Sequence, residues 1–269
     1  MARDTFQLGK AAAAAYEQQK VKAIFRPLAE ATLSAIEISN KDVVLDVACG
    51  TGIVSRVLWE RSSPEAAITG IDLNEGMIEM ARGVTSNTPD AFSWHTGDVT
   101  GMPFNDGSFT SAICQQGFQF FPDEEAALKE IRRVLQPGGR FILTVWAEPS
   151  RFFLALADAI GRHVSPEDAT RSLAPFTYAG LDAIPELLCS CGFADVWSTD
   201  LTVERVIHEP KVSIPLEITG NPVGPAVLGR GEEVMASIVS EVLATCSDLL
   251  RGNDLISPQT ARLFNATAV

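Results

Sequence analysis

Positive charge is scarce in this chain of 269 residues: 21 lysines and arginines stand against 34 acids, a formal net charge of −13. That deficit argues against a mainly electrostatic grip on nucleic acid or on an anionic membrane surface, both of which need a basic face. Long apolar runs are missing too. None approaches the ~18 residues that a membrane-spanning helix requires. The five cysteines (Cys49, Cys114, Cys189, Cys191, Cys246) are odd in number, and the opening MARDTFQLGK carries no apolar leader core. Both observations lead to a cytoplasmic reading. Cys189 and Cys191 have neither a CxxC partner nor a nearby histidine, so they are read as helix packing and no metal is expected. What is present is a composition that is 46% hydrophobic and 20% charged, ordinary for a packed protein with a substantial core.

After a helical stretch rich in Ala, Leu, Glu and Lys from Ala11 to Glu37, a rhythm begins. Short β-branched runs at Val43–Leu45, Ile68–Ile71, Phe92–His95, Phe109–Cys114 and Phe141–Trp146 alternate with helical segments near 52–61, 75–84 and 122–135. Strands alternating with helices of ten to fifteen residues imply βαβ units, a parallel sheet and ligands at the strands' carboxyl ends. Beyond Trp146 the pattern loosens. Helices are expected over Phe152–His163, Ala179–Cys191 and Glu232–Leu250, and a strand over Asp195–Val206. Residues 209–231, with four prolines and four glycines, read as irregular, and Ala261–Val269 as a final strand.

The chemistry concentrates in Val43–Gly52, VVLDVACGTG. A strand runs into a glycine loop that opens a helix, which lets backbone approach a ligand and presents free N–H groups. Asp72, twenty residues past Gly52 at the end of the second strand, stands where an acid binds the hydroxyls of an adenosine ribose. Gly50 to Ser55 also makes an imperfect GxGxxS dinucleotide fingerprint. Asp46 separates the two readings: a carboxylate at the strand end repels a pyrophosphate and favours a cationic ligand. S-adenosylmethionine has a sulfonium, an ammonium and no phosphate.

The blocks VLDVACGTG, GIDLNEGMIEMAR, GDVTGMPFNDGSF and LKEIRRVLQPGGRFIL, in this order, resemble the class I S-adenosylmethionine-dependent methyltransferases, and most of all the branch that includes the ubiquinone/menaquinone biosynthesis methyltransferases. The resemblance covers residues 40–150. It implies a Rossmann-like, doubly wound α/β fold with a mostly parallel, seven-stranded sheet. It also implies one methyltransferase domain over 1–269: a helical lid over 1–40, a cofactor-binding core over 41–150, and a segment 151–269 that completes the sheet and covers the acceptor site. On the matching positions, Asp46, Ala48, Gly50 and Gly52 hold the methionine part and ribose, with Ala48 in place of the usual first glycine. Asp72 is the ribose acid. Leu73 and Met77 form the adenine wall, and Asp98 and Val99 sit near the adenine amino group. Gln115 meets the cofactor. Gln116 shapes the acceptor pocket, which Phe118 and Phe120 line, core packing being their other reading, and Tyr16 reaches the cofactor from the lid, helix packing being its other reading. Thr110 departs from an aspartate common in relatives and is expected to matter for strand-end packing.

The expected activity is transfer of the cofactor's methyl group to a small molecule by in-line displacement, with S-adenosylhomocysteine as product. No residue is singled out as a base; His163 and His208 are the candidates, since imidazole titrates near neutrality. Other readings are a protein or RNA methyltransferase, a nicotinamide-dependent oxidoreductase and a non-catalytic cofactor-binding relative. Neither the acceptor nor the oligomeric state is fixed by the sequence.

Overall fold

A computed structural model describes residues 9–62, 65 and 67–269. Residues 1–8, on which the leaderless reading rests, lie outside the described residues. The chain divides into two compact units: Met1–Val145 with Ala179–Leu201 and Arg262–Val269, and Trp146–Tyr178 with Thr202–Ala261.

The first unit opens with α1 (Lys10–Tyr16), a π-helical stretch over Glu17–Phe25, and α2 (Arg26–Ala35), where Pro27 occupies the first turn. The helix–sheet alternation follows as β1 (Val44–Val47), α3 (Ile53–Ser62), β2 (Ile68–Asp72), α4 (Glu75–Val84), β3 (Phe92–Thr96), β4 (Phe109–Gln115), α5 (Glu124–Val134) and β5 (Leu135–Trp146). The caps are local. Asn74 accepts from Met77 N at the start of α4 and Asp123 from Ala126 N at the start of α5. Glu124 and Glu125 in the first turn of α5, and Arg132 and Arg133 in its last, complement the helix dipole.

β1 to β4 pair in parallel in the order β3-β2-β1-β4, and β5 pairs in parallel with β4. β5 starts at Leu135, ahead of the expected Phe141, because the Gln136–Gly139 turn is absorbed as an irregularity in its register with β4. Thr110 ties the starts of two strands. Its hydroxyl donates to Asp42 Oδ1 (2.7 Å) and accepts from Val43 N (3.0 Å), a strand-end packing role. A buried cluster around Val44, Val54, Val57, Ile68, Ile113, Ile142 and Leu263 fills the space between the sheet and helices α2 and α3.

Further along lie α6 (Arg151–His163), α7 (Pro166–Leu173), α8 (Ile184–Ser190), β6 (Phe193–His208), α9 (Pro210–Thr219), α10 (Gly224–Leu228), α11 (Glu232–Thr245), β7 (Leu250–Arg251) and β8 (Asp254–Ala268). The sheet continues β5-β8-β6, so the seven strands expected are joined by a short eighth, β7, paired antiparallel with β8. Gly252, at φ +61°, makes the two-residue turn between them.

Residues 209–231 are a correction: they form α9 and α10. Pro210 and Pro225 sit in first turns, where proline is harmless, and only Pro215 interrupts a helix interior. In the second unit Arg205 is 3% exposed. Its guanidinium lies 4.9 Å from the centre of the Phe153 ring and donates to Gln259 Oε1 (3.0 Å) and Glu217 Oε1 (3.1 Å).

Candidate functional site

β1 runs through the middle of the sheet, with Asp46 opposite Gly70 on one side and Ile113 on the other. Past Val47 the chain turns sharply. Ala48 (φ +53°), Gly50 (+56°) and Gly52 (+78°) all adopt left-handed conformations. Cys49 N donates to Ile71 O and Gly52 N to Cys49 O, pinning the loop to β2 and to itself. At Ala48 this backbone costs about 1 kcal/mol, a strain tolerated where surroundings over-determine it.

Close approaches explain three of the glycines. A Cβ at Gly52 would stand 2.3 Å from the Trp94 ring, and one at Gly117 would stand 2.5 Å from the Ala48 Cβ. A Cβ at Gly70 would stand 2.3 Å from the same tryptophan ring. Trp94 therefore packs against both the cofactor-type loop and β2, anchored by its Nε1–H to Thr85 Oγ1 (3.1 Å).

Two carboxyls flank the loop. Asp72 Oδ2 accepts from Gly50 N and its Oδ1 from Asn74 N, both at 2.8 Å. Asp46 is 2% exposed. Its Oδ2 accepts from the Ser55 hydroxyl (2.6 Å) and the Ser55 N–H (3.1 Å). Burial pushes the Asp46 carboxyl up to about 7 against the pull of those hydrogen bonds, with the charge of Asp72 adding to the rise. Burial likewise raises Asp72, opposed by the Asn74 and Gly50 N–H groups. The neighbouring thiols are pushed up as well, Cys114 to about 12. Among the described residues no ion pair engages Asp46 or Asp72. Two desolvated carboxyls without a counter-cation, beside a glycine loop and a helix start, fit a cationic nucleoside cofactor and oppose a pyrophosphate.

The remaining candidates take the following places. Leu73 is 44% exposed and Met77 is buried. Asp98 caps the short 3₁₀ turn at Val99–Gly101, accepting from Thr100 N (2.9 Å) and Oγ1 (2.8 Å), and Val99 is half-buried. Gln115 Nε2 donates to Phe25 O (3.1 Å), and Tyr16 stacks on Phe25 with ring centres 5.3 Å apart. The N-terminal helices are thereby tied to the carboxyl end of β4, next to the loop. Gln116 is buried in a left-handed conformation (φ +59°). Phe118 is fully buried, edge-on to Phe121, while Phe120 is exposed. His163 and His208 lie in the second unit and each meets a carboxylate at 3.0 Å, Glu241 and Asp254 respectively.

Three residues that matter here were not read from the sequence. Ser55 was visible only as the last position of the imperfect fingerprint. Trp94 carried no motif signal. Gln119, whose Nε2 donates to Gln116 Oε1 (3.0 Å), sits between the expected acceptor residues Phe118 and Phe120.

Fold and site define a class I S-adenosylmethionine-dependent methyltransferase. Residues 45–143 match the family model described as "Methyltransferase domain". A ubiquinone/menaquinone biosynthesis C-methyltransferase of Geobacter sulfurreducens is 30% identical over 183 residues, 63% of this chain and 72% of that protein. The chain belongs to that ubiquinone/menaquinone methyltransferase-like family and uses S-adenosylmethionine. A demethylmenaquinone methyltransferase of Staphylococcus aureus is 37% identical over 106 residues, covering 39% of this chain and 44% of the relative's length. Among solved structures, a phosphoethanolamine N-methyltransferase 2 of Haemonchus contortus, in complex with phosphomonomethylethanolamine and S-adenosylhomocysteine, shares the fold. Its TM-score is 0.63 at 17% identity, over 98% of this chain and 58% of that one. No helix among the described residues is long and apolar enough to cross a membrane.

Proposed function

We propose that this methyltransferase acts on a small, apolar, quinone-like acceptor, and that Asp46, Ala48, Gly50, Gly52, Asp72, Leu73, Met77, Asp98, Val99, Gln115 and Tyr16 form its cofactor site. The observation that carries the cofactor site is a buried carboxyl, Asp46, and a half-buried one, Asp72, both raised by desolvation and flanking a loop with three left-handed residues. When bound, S-adenosylmethionine supplies an electrophilic methyl group, so the protein's own task is to bind, orient and exclude water. Asp46 and Asp72 provide negative charge and hydrogen-bond acceptors. Gln116, Phe118 and Phe120 stand on the acceptor side, where apolar side chains keep the reacting centre dry.

The quinone-biosynthesis methyltransferases among the relatives support an apolar acceptor. The second unit carries an open groove of about 840 Å³, lined by Pro215, Leu216, Leu228, Met235, Val239 and Leu243 with Lys211 and Glu232 also on its walls. Residues 151–269 are read as the acceptor-selecting part of the chain. The net charge of −13 disfavours RNA as the acceptor, and the protein is read as cytoplasmic.

Incubation with methyl-labelled S-adenosylmethionine tests this reading, with a demethylated menaquinol offered in one reaction and total RNA and protein in another. Label in the organic phase is the expected result. Label confined to macromolecules refutes it.

A further inference from the structure

The carboxyl of Asp46 is placed unusually for a group meant to carry charge. It is 2% exposed, and among the described residues both of its hydrogen bonds come from one residue, Ser55, at 2.6 and 3.1 Å. Ser55 is itself fully buried on the first turn of α3, so water does not compete for its hydroxyl. The titratable groups around the carboxyl all lack positive charge. Asp72, at the end of β2, adds a like charge. Cys49 in the loop and Cys114 on β4 are neutral thiols, held so by burial and by these same acids. In such surroundings an ionised Asp46 depends on the two donors of Ser55 until a cation arrives.

We propose that Ser55 is a positioning residue for cofactor binding: it holds the Asp46 carboxyl ready to give up its proton, and cofactor uptake exchanges that proton for the cofactor's positive charge. The proposal rests on the assignment of Asp46 to the cofactor site. The exchange balances simply. Neutral Asp46 releases its proton to solvent, its carboxylate faces the incoming cation, and no covalent bond to the cofactor forms. The free carboxyl titrates at about 7, so the exchange falls within the working range of a cytoplasmic enzyme. A serine is suited to the task, because its hydroxyl donates to the carboxylate yet can rotate to accept from the protonated acid.

The test is calorimetric titration of S-adenosylhomocysteine, which shares the cofactor's ammonium, into the wild type, Asp46→Asn and Ser55→Ala. Measurements run from pH 6 to 8.5 in two buffers of different ionisation enthalpy. For one group titrating at about 7 in the free protein and well below 6 in the complex, affinity rises about tenfold from pH 6 to 8. Near pH 7 the observed heat differs between buffers by about half a proton released. Asp46→Asn binds more weakly, with an affinity that is flat relative to the wild type. Ser55→Ala moves the midpoint up by about one pH unit, the value of one hydrogen bond to a charged group, and approaches wild-type affinity at pH 8.5. A loss of packing alone would weaken binding equally at every pH. Binding by the wild type with no pH dependence and no buffer dependence overturns the proposal while leaving the cofactor site intact. A pH profile that persists in Asp46→Asn overturns it in favour of Asp72. No binding at any pH overturns the cofactor-site assignment itself. The wild type and Asp46→Asn decide the matter even where Ser55→Ala does not fold.

Discussion

Asp46→Asn is expected to stabilise the cofactor-free protein as pH rises. The carboxyl titrates at 3.8 in an unfolded chain and at about 7 in the fold. A folded value above the unfolded one means that the native state binds the proton more tightly. The group's contribution is therefore fully present below pH 4 and is lost as pH climbs through 7. Three units at 1.4 kcal/mol each amount to about 4 kcal/mol of stability lost above pH 8, and about 2–3 kcal/mol of that falls between pH 5 and 8. Asparagine has the same shape, keeps an oxygen for Ser55 and does not titrate. Urea denaturation of both proteins, followed by tryptophan fluorescence at pH 5, 6, 7 and 8 without cofactor, isolates the effect because every other titrating group is common to the two. The stability of the variant relative to the wild type should improve by about 2–3 kcal/mol from pH 5 to pH 8. Parallel pH curves would falsify the claim that Asp46 is a desolvated acid held for a ligand's sake.

Other substitutions report on the loop and the second unit. Gly70→Ala and Gly52→Ala both press on the Trp94 ring at 2.3 Å and should each cost about 1–3 kcal/mol. In a Trp94→Val background the remaining cost of Gly70→Ala is its 3.0 Å approach to Cys49 Sγ, while Gly52→Ala keeps about 1 kcal/mol of backbone strain, because only Gly52 is left-handed; an undiminished cost of either substitution in thermal melts would contradict this. Glu217→Gln removes the Glu217 charge from the buried Arg205 guanidinium, leaving its bond to Gln259 and its contact with Phe153 in place, and should destabilise by about 1–3 kcal/mol; an unchanged denaturation midpoint would show the pair to be dispensable.

The half of the fold that positions the cofactor loop was legible because its signals are local. A short β-branched strand, a glycine loop and an asparagine cap each act within a few residues of chain, and β1, β2, α4 and α5 lie where periodicity put them. The second half was less legible. Prolines at 210, 215, 222 and 225 suggested irregular chain, but a proline in a first turn is compatible with a helix, and packing overrode the one at 215. Leu250–Ala268 reads as a β-hairpin only when Gly252 is recognised as its left-handed turn residue. In the site, Asp46 and Asp72 stood out as acids at strand ends. Their partners did not, since Ser55 and Trp94 act through contacts that form only once α3 and β3 have packed.

The central claim is that the β1 loop and its two acids bind S-adenosylmethionine. Calorimetric titration of S-adenosylhomocysteine at pH 8 into the wild type and Asp72→Ala tests it most directly. One ligand per chain is expected for the wild type, and affinity lower by about 1–3 kcal/mol for the variant, the loss of charge-assisted hydrogen bonds. Absence of binding to the wild type, or undiminished affinity in Asp72→Ala, would contradict the account.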